Sequence, residues 1–376
     1  MDSKKYWVGF NLVKGIGAVR LQALLDHFGD LSLAWDSPAD ALVAAGMSQK
    51  IVANFFAVRN EVNLDQFYDR ILKHGTLVLT WQDDAYPQRL REIDQPPPVL
   101  YLKGTYQVED AWSVAIVGTR RATAYGQRVA GELASYLAQN GVTVISGLAR
   151  GIDAAAHLAA LKAGGRTIAV LGNGVDQVYP PEHRNLSEQI MANGCLLSDY
   201  APGTPPDSAN FPPRNRIISG LSMATVVVEA GETSGALITA TFAAEQGRDV
   251  FAVPGSIYAV QSKGANRLIQ DGAHPLLEMK DVLAVMNLTQ VAEQRSARLT
   301  LPEDPVEARL YQSLTDEPTH IDEICAQVGL PIDQVSPALA MMELKGFVRQ
   351  IGGMNYIAIH EKSAAYHVNV TSKPGA

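Results

Sequence analysis

The chain has 376 residues with a formal net charge of −8, and 47% of its residues are hydrophobic while 19% are charged. This balance is typical of a folded protein and excludes a largely disordered chain, and the length predicts two or three domains. The negative charge excludes a general attraction to nucleic acid, so any binding to phosphates must come from a local cluster of Arg and Lys.

Cysteine usage and the lack of long apolar runs narrow the class of protein further. Cys195 and Cys325 are the only cysteines and lie far apart, so the sequence offers neither a disulfide framework nor the spacing of a zinc site. The N-terminus has no continuous apolar segment, and no run of about 18 apolar residues occurs in the chain. We therefore expect a cytoplasmic protein without a metal or other cofactor, neither exported nor spanning a membrane.

Residues 1–70 show the apolar spacing of helices and no strand-like alternation, which predicts a small helical domain. Within it, residues 13–20 carry the hydrophobic-Gly-hydrophobic-Gly pattern of a helix-hairpin-helix turn, centred on Gly15 and Gly17. Such a turn either presents backbone N–H groups to a phosphate or serves only to reverse the chain. The residues alone leave both possibilities open.

A stiff connector follows the helical domain. Residues 75–81 have the composition of a strand, and three consecutive prolines at 96–98 exclude a helix. We expect this segment to lay an extended stretch of chain beside the next domain.

Residues 71–290, which include the connector, are predicted to form the main domain. From residue 113 onward, short runs rich in apolar residues alternate with helical segments, and the runs are apolar at nearly every position. This pattern indicates a parallel sheet covered on both faces, so it predicts an α/β fold, an extended Rossmann-like doubly wound parallel sheet. The predicted strands are 114–117, 142–146, 167–171, 196–198, 225–229 and 250–253, and the predicted helices are 125–140, 152–163 and 236–246.

The C-terminal part predicts a winged helix. A polar linker at 291–305 leads into three helical segments and two short apolar runs at 306–360, and a disordered tail is expected at 361–376. Lys345 is the only basic residue between positions 316 and 348, a stretch that holds six acidic residues. Because a helix that enters the major groove should be basic, the composition favours a role in protein interaction or structure over DNA binding.

The loops that leave the strands carry the chemistry, because ligands of an open parallel sheet bind outside the carboxyl ends of its strands. These loops are rich in glycine, small hydroxyls and arginine. Glycine lets backbone amides approach a ligand, and each following helix begins with its positive end at the same edge, so the loops suit anions. A row of such loops suits a polyanion better than one nucleotide. The residues of this predicted site are Gly118, Thr119, Arg120, Arg121, Ser146, Gly147, Arg150, Phe211, Arg214, Asn215, Arg216 and Lys263.

The basic side chains of the predicted site also have structural interpretations. Arg120 and Arg150 either contact the ligand or pair with a nearby carboxylate. The candidate carboxylates are Asp153, Glu229 and Glu232. One of Arg214 and Arg216 is expected to brace its loop, and Lys263 either contacts the ligand or is simply solvated.

Aromatic, acidic and histidine side chains nearby leave similar alternatives. Phe211 and Tyr179 are candidates to stack on the bases of a single strand, although Phe211 beside two prolines equally suits packing. Asp153 either acts as an acid or caps its helix. His157 and His183 have no ligand partner at a useful spacing, so we assign them to structure.

Enzyme classes that share this fold compete with a binding function. A dinucleotide oxidoreductase is excluded because the first strand lacks a following G-x-G-x-x-G and the second lacks an acidic residue for a ribose hydroxyl. A P-loop ATPase is excluded because no G-x-x-x-x-G-K-[ST] occurs. A nucleotide-processing hydrolase of the phosphoribohydrolase type stays open, because Glu229 and Glu232 lie at a strand end beside small polar residues.

An ordered series of motifs between residues 85 and 285 carries a family resemblance. The motifs are 118–120 (GTR), 146–153 (SGLARGID), 179–180 (YP), 211–222 (FPPRNRIISGLS), 234–240 (SGALITA), 247–248 (GR), 251–255 (FAVPG) and 264–266 (GAN). In this order they closely resemble the DNA processing protein A family, DprA or Smf. The helical N-terminus resembles the SAM-like domain ahead of that core, and residues 306–358 resemble its C-terminal winged helix.

The resemblance implies a protein without enzymatic activity that binds incoming single-stranded DNA, shields it and helps to load RecA in natural transformation and recombination. It also implies a homodimer formed through the Rossmann-like domain. The DNA is then expected over the loop after the first strand and the neighbouring basic pocket. On this chain those positions are Gly118, Thr119 and Arg120, with Arg150 and the turn of Arg214, Asn215 and Arg216.

Two departures from the family pattern bear on this expectation. Pro213 stands where many members place a basic residue, and Ala265 replaces a threonine that is common before the asparagine. We therefore expect one phosphate contact to be lost. The family's RecA-facing and dimer residues correspond to roughly residues 236–285, and the resemblance does not transfer them one by one.

Overall fold

The computed structural model describes residues 3–285, 304–314, 318–344, 348–351 and 353–358. The chain divides into two compact units, Met1–Val291 and Ala292–Ala376. The predicted tail at 361–376 and most of the predicted linker at 291–305 lie outside the described residues. The predicted boundary near residue 70 falls inside the first unit, and the domain boundaries stay predictions.

Six helices begin the first unit, and they are α1 (Lys4–Leu12), α2 (Ala18–Phe28), α3 (Leu31–Asp36), α4 (Ala39–Ala44), α5 (Gln49–Glu61) and α6 (Leu64–Lys73). Their apolar faces meet around an aromatic cluster. Phe10 stacks on Phe55 with ring centroids 5.3 Å apart, and Trp35 meets both rings edge-on. Gly9 permits this packing, because a Cβ there would lie 2.6 Å from the Trp35 ring. Tyr101 of the following sheet belongs to the same core, so the helices and the sheet pack together.

The predicted hairpin turn lies between α1 and α2. Gly15 has φ of +100°, a conformation that favours glycine. Its carbonyl accepts a hydrogen bond from Arg20 Nη1 at 2.7 Å, and the carbonyl of Lys14 accepts one from Asn54 Nδ2 of α5 at 2.9 Å. The turn is thus braced by two side chains, and phosphate binding there stays a prediction.

Among the described residues of the first unit, nine strands form one sheet. They are β1 (Leu77–Thr80), β2 (Val99–Gly104), β3 (Ser113–Val117), β4 (Thr143–Ser146), β5 (Thr167–Val170), β6 (Gly194–Ser198), β7 (Ala224–Val227), β8 (Asp249–Ala252) and β9 (His274–Pro275). Their order is β1-β2-β6-β5-β4-β3-β7-β8-β9. β2 is antiparallel to β1 and to β6, and all other neighbours are parallel. The predicted doubly wound parallel sheet is confirmed. The predicted extended connector supplies β1 and β2, which lengthen the sheet at one edge.

Helices cover both faces of this sheet, and they are α7 (Gln88–Arg91), α8 (Ala124–Gln139), α9 (Ile152–Lys162), α10 (Arg184–Asn193), α11 (Phe211–Leu221), α12 (Gly235–Glu245), α13 (Lys263–Gln270) and α14 (Lys280–Val285). Successive residues of a strand point to opposite faces. Ile116 of β3 packs in the core that includes α8 and α9, while Val117 packs in the core that includes α11 and α12. This arrangement explains why nearly every residue of β3 is apolar.

The structure of the segment that begins at Phe211 differs from the prediction. The pattern predicts a loop that carries Arg214 and Arg216, whereas the structure places both in α11. Pro212 and Pro213 occupy the first turn of that helix, where a missing N–H breaks no hydrogen bond and the fixed φ suits the helix. The two prolines therefore mark a helix start rather than irregular chain. Helices α10 and α13 also lie where the pattern predicts none.

The direction in which strands are added reverses at β3. β4, β5 and β6 follow on one side of it, and β7, β8 and β9 follow on the other. The loops that leave β3 and β7 lead to helices on opposite faces, so they diverge and open a crevice at the carboxyl ends of these strands.

The second unit contains helices Pro305–Ser313, Ile321–Val328 and Ile332–Leu344 and strands Thr319–His320, Val348–Gln350 and Asn355–Ala358. The last strand pairs antiparallel with both others. Leu310, Ile324 and Leu339, one from each helix, are fully buried together with Val348 and most of Tyr356. The winged-helix prediction is confirmed. Throughout the described parts of both units, every helix is too short or too polar to cross a membrane.

Candidate nucleic-acid interface

A cleft of about 540 Å³ opens at the crevice between β3 and β7. Its walls come from the loops after β3, β4, β5 and β6 and from the first turns of α11 and α12. The lining includes Gly118, Arg120, Asp153, Tyr179, Phe211, Arg214, Asn215, Ser234 and Gly235. The volume is in the range of small-molecule sites, and two helices begin at its wall. The cleft therefore suits an anionic group of nucleotide size.

An exposed arginine and two aromatic rings form the mouth of the cleft, and we call Arg120, Tyr179 and Phe211 the rim. The guanidinium carbon of Arg120 lies 5.4 Å from the Phe211 ring centroid, and the Tyr179 and Phe211 rings stack with centroids 5.7 Å apart. Gly172 after β5 makes room for Phe211, since a Cβ there would lie 2.7 Å from its ring. The described residues give Arg120 no carboxylate partner, so its charge is open to a ligand.

A buried charge network lies beneath the rim, and we call Gly147, Asp153 and Arg214 the floor. Arg214 is 5% exposed, and its Nη1 donates to the carbonyl of Gly147 at 3.0 Å and to that of Val170. The Asp153 carboxylate accepts from the N–H groups of Gly147 at 3.1 Å and Ala149 at 3.3 Å. The floor thereby ties the ends of β4 and β5 to the start of α9.

Burial sets the ionisation of the floor. It lowers the pKa of the Arg214 guanidinium to about 10, a shift that the neighbouring Asp153 carboxylate opposes. Burial also raises the pKa of Asp153, while Arg214 and the two backbone N–H groups act in the opposite direction. The two opposite charges therefore favour each other's charged forms within the floor. Nη1 of Arg214 is thus taken up by two carbonyls of the protein, while Arg214 also lines the cleft, so its contact with an anion stays a prediction.

Glu229 at the end of β7 is 3% exposed and braces the loop after β3. Its carboxylate accepts hydrogen bonds from the N–H of Thr123 at 2.9 Å and from the Thr123 hydroxyl, and its carbonyl accepts the N–H of Thr119 at 2.7 Å. Thr123 caps α8, and a Cβ on Gly126 would lie 2.4 Å from the carboxylate. Glu229 is thus occupied by the loop and is not poised against a substrate, so the hydrolase alternative is not favoured.

Three other predicted cations have carboxylate partners. The pairs join Arg150 to Glu182 at 2.5 Å, Arg216 to Asp199 at 3.0 Å and Lys263 to Glu232 at 4.0 Å. The partner of Arg150 is therefore neither Asp153, which holds the floor, nor Glu229. The pairs of Arg150 and Lys263 are exposed, so they are weak and open to exchange with a phosphate. The Arg216 pair is mostly buried and braces α11.

The remaining predicted residues are divided between surface and interior. Arg121 is exposed beside Arg120, and its N–H donates to the Thr119 hydroxyl at 3.2 Å. Ser146 is buried, and its hydroxyl donates to the Ile116 carbonyl at 2.6 Å. Asn215 Nδ2 donates to the Gly235 carbonyl at 3.2 Å. Gly118 lacks room for a side chain, because a Cβ would lie 2.5 Å from Ile152.

Two acidic residues of the site are missing from the sequence analysis, Glu182 and Asp199. Asp199 directly follows β6, so the rule that strand ends carry the chemistry was sufficient to find it. Glu182 lies far along the chain from Arg150 with no motif to connect them. Asp153 does not cap its own helix either, since the N-cap of α9 is Gly151.

The two histidines assigned to structure both bond to the protein. His157 is fully buried, its Nδ1 lies 2.7 Å from the Thr167 hydroxyl, and burial lowers its pKa to about 3. His183 Nδ1 lies 2.9 Å from the Leu148 carbonyl. In the part of the chain that the structure describes, no group of His, Cys, Asp or Glu side chains could hold a metal ion.

Two family models match the chain. A model described as DNA recombination-mediator protein A matches residues 77–287, and one described as the DprA winged helix domain matches residues 294–354. The first match spans the sheet and its cleft, and the second spans most of the C-terminal unit.

Relatives and solved structures point to the same family. Protein Smf of Synechocystis sp. is 38% identical over 94% of this chain and 98% of that protein. DNA processing protein DprA of Streptococcus pneumoniae is 45% identical over 54% of this chain and 71% of that protein, and a structure of it matches with a TM-score of 0.66 at 34% identity, covering 74% of this chain and 97% of that chain. A structure of DNA processing protein A from Helicobacter pylori, described as revealing its single-stranded DNA binding mode, matches with a TM-score of 0.51 at 29% identity, covering 56% of this chain and 95% of that chain.

Proposed function

The chain belongs to the DNA processing protein A family, DprA or Smf, and from that premise we propose that it binds single-stranded DNA at the rim and cleft. The rim carries the proposal. It combines a cation that has no carboxylate partner among the described residues with two stacked aromatic rings. Proteins that bind single strands use such cations for the phosphates and such rings for the bases. The single-strand binding described for the Helicobacter pylori relative supports the same function.

We assign different roles to the predicted site residues. Arg120 and Phe211 contact the strand with Tyr179, and the loop of Gly118 and Thr119 lets the backbone approach it. Arg121, Arg150 and Lys263 add exposed charge along the edge. The residues that shape the site from inside are Ser146, Gly147, Arg214, Asn215 and Arg216.

We infer a binding role without catalysis. In this role the protein shields incoming single strands and helps RecA to load in natural transformation or recombination. We place it in the cytoplasm as a homodimer formed through the Rossmann-like domain. Membership of the family and the winged-helix match support this role.

Salt dependence tests the DNA-binding proposal. With about four to six phosphates engaged, a plot of log affinity against log salt should have a slope of about −3 to −4. Fluorescence anisotropy with single strands of increasing length measures it. Arg120→Ala should weaken binding and flatten the slope by about 0.7, the share of one phosphate. Arg128→Ala is the matched control, because Arg128 is an exposed arginine on α8 that pairs with Glu132.

Two outcomes would contradict the proposal. One is a slope near zero. The other is equal affinity for blunt duplex and single strand at every salt concentration.

The hydrolase alternative has its own test. Incubation with nucleoside monophosphates should release no free base, because Glu229 is held by Thr123. Turnover that disappears in Glu229→Gln or Glu232→Gln would replace the binding function with a catalytic one.

A further inference from the structure

An apolar tip projects from the loop after β8, and we define it as residues 257–260. Within it Ile257 is 73% exposed, Tyr258 88% and Val260 65%. Single apolar side chains on a surface are ordinary, but a contiguous exposed group marks a contact surface. The tip is therefore a candidate for an interaction that the cleft alone does not explain.

The loop that carries the tip is held at its base. The Asn266 side chain accepts the N–H of Gly255 at 3.1 Å and donates to the Gly255 carbonyl at 3.0 Å. The Tyr125 hydroxyl donates to the carbonyl of Pro254 at 3.1 Å. A Cβ on Gly255 would lie 2.2 Å from the Ser262 hydroxyl, so the two ends of the loop meet. The apolar side chains are thus presented to solvent by an anchored loop.

The loop that carries the tip is joined to the loop after β7, and residues of the loop after β7 line the cleft. The N–H of Gly264 donates to the Ala230 carbonyl at 2.8 Å, which joins the end of this loop to the loop after β7. The loop after β7 continues to Ser234 and Gly235, which line the cleft. Because β7 lies between β3 and β8, the loop that carries the tip follows the strand on the far side of β7 from the loop of Arg120.

The charges around the tip favour a polyanion as its occupant. Residues 254–264 include Lys263 and no acidic residue. Lys263 lies 4.0 Å from Glu232, and both side chains are largely exposed, so a phosphate can replace this weak pair. An exposed aromatic ring and an exposed lysine in the same short segment are the combination that binds single strands with little sequence preference.

We propose that the tip is a second stacking platform for single-stranded DNA, with Tyr258 against a base and Lys263 against the adjoining phosphate. The proposal rests on the DNA-binding function proposed above and extends it. A strand held at the rim continues across the cleft to the tip, which lengthens the binding site.

Oligonucleotide length separates the two platforms. Single strands too short to span both should bind wild type and Tyr258→Ala equally. Longer strands should bind Tyr258→Ala about tenfold more weakly, which is the usual loss for one stacked base. Tyr258→Phe keeps the ring and should keep the affinity. Leu158→Ala, a change at an exposed apolar residue of α9, should have no effect at any length.

A crosslinking experiment tests the contact itself. A long single strand that carries 5-iododeoxyuridine should crosslink to the peptide that holds Tyr258, as mapped by mass spectrometry, and the crosslink should be absent from Tyr258→Ala. Because Tyr258 is 88% exposed, the Tm of Tyr258→Ala should equal that of wild type, so lost affinity is not lost folding.

The outcomes distinguish this inference from the function on which it rests. If wild type binds no single strand, the proposed function fails and the tip proposal fails with it. If wild type binds but Tyr258→Ala binds every length equally well and crosslinks elsewhere, only the tip proposal is overturned. A change in the molecular mass of Tyr258→Ala in solution with unchanged DNA affinity would make the tip a protein contact and also overturn it.

Discussion

The floor and the rim of the cleft lie side by side and use arginine in opposite ways. Arg214 in the floor is 5% exposed and bonds to the carbonyls of Gly147 and Val170. Arg120 in the rim is exposed, and its guanidinium carbon lies 5.4 Å from the Phe211 ring centroid. Motif and position bring both to the same edge of the sheet, but Arg214 is buried among protein carbonyls while Arg120 is exposed at the mouth of the cleft, and we propose that Arg120 contacts the DNA.

The largest effect should come from removing the floor cation. Arg214→Ala leaves the Asp153 carboxylate buried without its cation, and we expect the free energy of unfolding to fall by about 3 kcal/mol. Urea denaturation measures it. Arg214→Lys keeps the charge but loses the planar guanidinium, so its free energy of unfolding should lie between those of wild type and Arg214→Ala. Arg121→Ala at the exposed edge should leave the urea midpoint unchanged. If Arg121→Ala loses as much stability as Arg214→Ala, the distinction between the buried floor and the exposed edge is wrong.

A loss of binding rather than stability should follow from removing the ring at the rim. Phe211→Ala removes the surface shared by Arg120 and a stacked base, and we expect single strands to bind about tenfold more weakly. Phe211→Leu keeps apolar packing against Gly172 but has no ring, so it should bind as weakly as Phe211→Ala. Full affinity in Phe211→Leu would show that the residue only packs.

The free energy of unfolding of Arg214→Ala should also depend on pH differently from that of the wild type. Burial already raises the pKa of Asp153 in the wild type, and loss of Arg214 removes a group that lowers it. A carboxyl with a raised folded pKa stabilises the fold when protonated, and this contribution is lost as the pH rises through that pKa. The stability deficit of Arg214→Ala should therefore shrink as the pH is lowered from neutrality towards the raised pKa of Asp153. If the urea midpoints of wild type and Arg214→Ala instead change in parallel as the pH is lowered, Arg214 does not stabilise the Asp153 carboxylate.

The smallest effect should be a gain at the edge of the rim. Glu182→Gln frees Arg150 from its exposed partner, so affinity for single strands should rise roughly twofold at low salt and return to the wild-type value at high salt. Glu132→Gln, which removes the exposed partner of Arg128, is the matched control and should change nothing. An equal gain in the control would point to net charge alone.

Much of the fold could be predicted because the central strands are buried on both faces. Every residue of β3, for example, is buried, and its apolar run is unbroken from Val114 to Val117. The apolar pattern does not predict β9, because this strand has two residues and both are exposed. The helix start at Pro212 and Pro213 was missed because the same residues are typical of loops and of first helical turns.

The sequence predicts which edge of the sheet carries the site. It does not predict which residues at that edge belong to the buried floor and which to the exposed rim. Strand-end positions bring Arg120 and Arg150 to the same edge of the sheet, and no local pattern distinguishes them from Arg214. That distinction depends on which side chain the sheet encloses. It depends equally on partners that are remote in sequence, as Glu182 is from Arg150.

Asp199 has a consequence for experiments that shorten the chain. Its carbonyl accepts a hydrogen bond from Asn11 of α1 at 3.3 Å, its carboxylate pairs with Arg216 of α11, and the Tyr101 hydroxyl donates to the other end of the Asn11 amide at 2.9 Å. Deleting the N-terminal helices would remove the hydrogen bond from Asn11 to Asp199. Asp199 braces α11 through Arg216, and α11 begins at Phe211. Weaker DNA binding by such a truncated chain would then report a loosened platform rather than a lost contact. Truncations should be compared by resistance to proteolysis before they are compared by affinity.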